Sequence, residues 1–87
     1  MSKNKAKPKP DYFQQHREKI GDSIRVFREE KELSQDDLAE IMEVNRSTIS
    51  KIENGKFAIT IDYIMKFGWH LDFDFVLVKK NKTENSK

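Results

Sequence analysis

The sequence predicts an all-α fold of four or five short helices, closed by a single C-terminal β-strand. Three observations carry that prediction. Apolar residues recur at spacings of three and four between Phe13 and Leu71, the period of a helix with one buried face. Helix-start residues, Asp11, Ser34, Asn45 and Thr60, divide that stretch into segments. After Leu71 the period changes to two in Phe73-Asp74-Phe75-Val76-Leu77-Val78, an aromatic and β-branched run suited to a strand.

The first ten residues hold Lys3, Lys5, Lys7 and Lys9, two prolines and no acid. Their apolar content is too low to offset the entropy of ordering, so 1–10 reads as a disordered basic arm. Asp11, with Gln14 three residues on, forms a variant capping box that opens the first helix. Phe13, Ile20, Ile24 and Phe27 mark its inner face to about residue 31, and Gly21 marks a kink or the close approach of another helix. Ser34 caps the second helix, with Asp36 and Asp37 at the positive end of its dipole and Leu38, Ala39 and Met42 as its apolar stripe. Glu43-Val44-Asn45 is then a tight connection. Asn45 caps a third helix that runs from Arg46 to about Asn54, buries Ile49 and Ile52, and stops at Gly55. Thr60 caps a fourth helix, with Ile61, Ile64, Met65, Phe67 and Leu71 on its buried side. The division is therefore a basic arm over 1–10, a helical domain over 11–72, a strand over 73–78 and a flexible tail over 79–87.

A chain of 87 residues makes one small domain, too small for a deep enzymatic pocket. Without cysteine it has no disulfide and no thiolate metal cage, and His16 and His70 are too widely separated for a local metal motif. No apolar run reaches the ~18 residues of a membrane span, and the lysines near the start precede no apolar signal region, so a cytoplasmic setting without membrane contact is expected. Ser34, Ser47 and Ser50 have no nearby histidine to activate them, and no pair of carboxylates stands out as sheltered, so neither an enzyme nor a cofactor is expected.

The 17 Lys/Arg and 15 Asp/Glu residues give a net charge of +2, but the tails carry most of the surplus. Residues 11–78 hold nine basic and fourteen acidic residues, a net of −5. Global charge therefore argues only weakly for nucleic acid, and the placement of the central cations decides. Two short helices joined by a three- or four-residue turn form a helix-turn-helix, whose second helix enters the DNA major groove. The polar face of the third helix presents Arg46, Ser47, Ser50 and Lys51, donors suited to base edges and phosphates. The acids Glu29, Glu30, Glu32, Asp36, Asp37, Glu40 and Glu43 are expected away from that face.

The segment from Ile20 to Leu71, above all LSQDDLAEIMEVNRSTISKIENGK, resembles the Cro/C1-type (XRE) helix-turn-helix family of bacterial and phage proteins. The resemblance implies a lambda-repressor-like helical domain that dimerises on operator DNA and regulates transcription. It places a phosphate contact that also orients the third helix on Gln35. Base-reading positions fall on Arg46, Ser47 and Lys51, with Asn45 at the start of the helix, and backbone contacts on Thr48 and Lys56. It also implies a partly buried architectural ion pair between Arg28 and Glu53. Two positions depart from the family, Glu32 and Glu43 standing where glycine is usual, and a left-handed non-glycine residue there carries strain. The DFDFVLV segment is similar to the C-terminal strand of HipB-like antitoxins.

A lone strand leaves its backbone groups unpaired. Its partner is the same strand of a second copy, with Phe73, Phe75 and Leu77 at the dimer contact, or a strand of another protein, or the segment packs as an extended tail on its own helices. The expected function is a sequence-specific regulator, a repressor binding a palindromic operator in double-stranded DNA as a homodimer. The alternative is an antitoxin that binds a toxin protein and autoregulates its operon.

Overall fold

In the computed structural model, residues 7–80 are described and form four helices: α1 (Pro10–Glu30), α2 (Gln35–Met42), α3 (Arg46–Glu53) and α4 (Ile61–Leu71). Ile24 of α1, Leu38, Ala39 and Met42 of α2, Ile49 and Ile52 of α3, and Phe67 and Leu71 of α4 make one buried core. Ile20, Phe27, Leu33, Val44, Ile59, Tyr63 and Phe73 close over it from the edges.

α1 begins one residue before Asp11. Pro10 takes the first helical position, where its fixed φ suits the helix and its missing N–H costs nothing. Lys9 is the cap residue and contributes no side-chain bond, so the expected Asp11–Gln14 capping box does not form. Gln14 instead donates to the Gly55 carbonyl at 3.1 Å, tying the start of α1 to the end of α3. The capping box appears at α2: Asp37 N–H donates to Ser34 Oγ and Ser34 N–H to the Asp37 carboxylate, both at 2.9 Å. Thr60 caps α4 as expected, its hydroxyl accepting from Tyr63 N–H at 3.1 Å. Asn45 holds the cap position of α3 by backbone conformation alone.

Each helix is closed by a left-handed residue one or two positions beyond its end, and the N–H of the residue after that one bonds back to a carbonyl of the last turn. Those bonds run from Leu33 to Arg28, Val44 to Ala39, Lys56 to Lys51 and Phe73 to Gly68. The left-handed residues are Glu32 (φ 59°), Glu43 (φ 59°), Gly55 (φ 66°) and Asp72 (φ 63°). Three of four such turns therefore lack glycine, and the two departures noted in the sequence do fall on strained positions.

α1 runs unbroken through Gly21, which serves a close approach rather than a kink. A Cβ built there would stand 2.5 Å from the carbonyl oxygens of both Ile52 and Glu53. The end of α3 thus lies directly on the backbone of α1.

Two expectations about burial fail. Phe13 is half exposed, beside a cleft it shares with Ala58, Ile59 and Ile64. Ile61 and Met65 also face outward, since the apolar stripe of α4 is wider than the face the core covers, and Ile64, Phe67, Gly68 and Leu71 alone are buried.

The expected strand over 73–78 is absent among the described residues: 73–80 have no regular secondary structure. A ladder needs a second strand and the single chain supplies none. The segment runs back beside α1. The Phe73 ring lies 5.2 Å from that of Phe27, and Lys80 Nζ sits 5.9 Å from the Tyr12 ring. Of the expected arm and tail, 1–6 and 81–87 lie outside the described residues.

Candidate nucleic-acid interface

The helix-turn-helix is built from α2, the turn Glu43-Val44-Asn45, and α3. The turn is short because Glu43 reverses the chain in one left-handed step. Val44 then returns its N–H to the Ala39 carbonyl at 2.9 Å and its side chain to the core. Lys66 of α4 donates to the Met42 carbonyl at 3.3 Å, satisfying one of the last free acceptors of α2.

α3 is eight residues long, and its inner face of Ile49, Ile52 and Glu53 is buried. At 100° per residue the opposite face carries Ser47 and Lys51, with Ser50 beside them and Arg46 nearer the buried edge at the start of the helix. Arg46, Ser47 and Lys51 are exposed, and Thr48 and Ser50 are half-buried at the flanks. Asn45 is exposed, with its side-chain amide free of any capping bond. Beyond the helix, Lys56 is exposed on the loop that Gly55 turns. Asn54 donates to the Ser50 carbonyl at 2.8 Å and lies 3.4 Å from its hydroxyl, which steadies the last turn.

Behind this face lies a buried polar knot. Arg28 donates to Glu53 twice, Nε at 2.6 Å and Nη2 at 3.0 Å, and its Nη1 donates to the Leu33 carbonyl at 2.7 Å. The Glu53 side chain is 2% exposed, so its charge survives only because it is paired and hydrogen-bonded. The hydrogen bond to Glu53 is the main cause that raises the Arg28 guanidinium pKa above its ordinary value, against the opposing effect of burial. Gln35, first residue of α2, gives Glu53 a third hydrogen bond from Nε2 at 3.0 Å. A carboxylate only accepts, so this contact fixes which end of the Gln35 amide faces inward. One Glu53 side chain therefore ties together α1, α2 and α3.

One feature overturns the expected segregation of charge. Asp36 lies beside Arg46, with Oδ1 3.5 Å from Nε, both side chains largely exposed. Sequence spacing gives no sign of this contact, because it depends on how the start of α2 meets the start of α3 across the turn. The other α2 acid of the first turn, Asp37, is turned back onto Ser34. The Ser34 backbone and side-chain hydrogen bonds hold its carboxyl below the usual carboxylate range.

The residues named for a dimer contact are placed unequally. Phe73 packs half-buried over Phe27, Phe75 is partly covered, and Leu77 is 90% exposed. Among the described residues no group of His, Asp and Glu side chains could hold a metal ion, and no helix is long and apolar enough to cross a membrane.

Comparison with family models matches residues 24–67, about half of the chain, to the model described as Helix-turn-helix. The match begins at Ile24 and runs to Phe67, from core residue to core residue. A search of curated proteins gives no match.

Proposed function

Because the chain belongs to the Cro/C1-type helix-turn-helix family of DNA-binding transcription regulators, we propose that it represses transcription by binding a palindromic operator as a homodimer. α3 lies in the major groove, where Arg46 and Lys51 read base edges and Ser47 meets a base or nearby phosphate. Gln35, Thr48 and Lys56 hold phosphates, with Asn45 and Ser50 at the margins of the contact. The observation that carries this reading is α3 itself: its inner face is locked in the core, Ser47 and Lys51 are exposed on the outer one, and Arg46 is exposed at its start beside Asp36. A second copy pairs with the 73–78 segment through Phe75 and Leu77, with Phe73 as the anchor. The two copies of α3 then sit about 34 Å apart, one turn of DNA.

Selection from random duplex DNA at one fixed salt concentration tests the proposal. The expected product is a two-fold symmetric motif. Arg46→Ala should weaken binding to it by ~1–3 kcal/mol and relax preference at one base step. Absence of any enriched motif would overturn the regulator reading. The second reading, an antitoxin that grips a toxin protein, is favoured by one feature, the exposed apolar stretch Val76-Leu77-Val78.

A further inference from the structure

We propose that Asp36 is a positioning residue that sets specificity, holding Arg46 by one edge so that its guanidinium meets DNA as a fork selective for guanine. The inference rests on the DNA-binding reading above and deepens it. Asp36 Oδ1 lies 3.5 Å from Arg46 Nε, an exposed ion pair at the Nε edge of the guanidinium. A guanidinium has five N–H donors in one plane. With Nε turned to Asp36, the four donors on Nη1 and Nη2 remain for a ligand. Guanine presents O6 and N7 side by side in the major groove, the acceptor pair that an arginine fork matches.

The alternative use of an exposed arginine is as a phosphate clamp, which carries no sequence information. Asp36 disfavours that use in two ways. It biases the guanidinium toward one side before DNA arrives, and it sets a negative charge beside Arg46 that a phosphate would have to approach. Among the described residues, Lys51 and Lys56 form no ion pair, so of the proposed DNA-contacting cations Arg46 alone carries an acid partner. Asp37 cannot substitute, since its carboxylate is committed to the Ser34 amide. The Asp36–Arg46 pair is too exposed to contribute much to folding, so its removal reads out on DNA.

The experiment uses the full chain and the duplex enriched by wild-type selection. Binding is measured to that duplex, to copies with each guanine replaced in turn, and to a random-sequence duplex, all at one salt concentration. Proteins compared are wild type, Asp36→Asn, Asp36→Glu, Arg46→Ala and the Asp36→Asn/Arg46→Ala double variant. In wild type one guanine should depend on Arg46, with discrimination of about tenfold or more. Asp36→Asn should bind the random duplex more tightly yet lose most of the discrimination at that guanine. Asp36→Glu should restore the discrimination. In the Arg46→Ala background, Asp36→Asn should raise affinity for every duplex alike. Asp36→Asn with undiminished discrimination at the Arg46-dependent guanine would overturn the inference, as would a selected motif in which no guanine depends on Arg46. Both leave the regulator reading standing, whereas the lack of any selected motif overturns the two together.

Discussion

Glu53 accepts three hydrogen bonds in the middle of the domain, from two nitrogens of Arg28 and one of Gln35. Such a pair is a weak source of net stability while intact and a large liability when half of it is removed. Glu53→Ala should therefore destabilise the fold by about 3–5 kcal/mol, read as a lowered urea midpoint, because Arg28 stays buried with only the exposed Glu29 carboxylate, 3.9 Å away, as counter-charge. The opposite sign is expected at Glu43. Its φ of 59° suits glycine, and among the described residues no hydrogen bond or ion pair of the Glu43 side chain holds it there. Glu43→Gly should raise stability by up to about 1 kcal/mol, the strain relieved being partly offset by the greater chain entropy of glycine, and thermal unfolding checks it. Both sites were legible in the sequence, but through resemblance: the spacing of Arg28 and Glu53 says nothing of contact. The Asp36–Arg46 contact was not legible at all, since it is set by the relative pose of two helices.

At the scale of elements, local chemistry was readable where one side chain decides. Ser34 and Thr60 mark helix starts because a short hydroxyl at that position can take a backbone N–H that the helix leaves free. Asp11 misled because Pro10 opens a helix by its fixed φ and needs no capping side chain. Ile61 and Met65 misled for a different reason: period shows which residues share a stripe, and only neighbouring elements decide how much of the stripe is covered. The α2 capping box also makes a pH prediction. The Asp37 pKa is lowered in the folded chain, so the stability it contributes is present above the ordinary carboxylate range and is lost as pH falls through its folded value. Acid titration of unfolding midpoints should therefore show a decline that is shallower in Asp37→Asn. An identical acid limb in both proteins would remove this carboxylate from the account.

For the whole molecule, the C-terminal segment was the least legible part. Its alternation reads as a strand, but a strand needs a second strand to pair with, and the chain lays 73–80 along α1 without regular secondary structure. In the proposed dimer that segment is the element shared between copies. Phe75→Asp should give monomers in sedimentation and a sharp loss of operator affinity, while a variant that stays dimeric would place the contact elsewhere. Gly21 has a consequence for the thermodynamics of binding. With the last carbonyls of α3 seated on the bare backbone of α1, the helix that meets DNA is already fixed in place, and its ordering belongs to folding rather than to association. Association should then show a modest negative heat-capacity change set by the contact surface, without the large one that accompanies coupled folding.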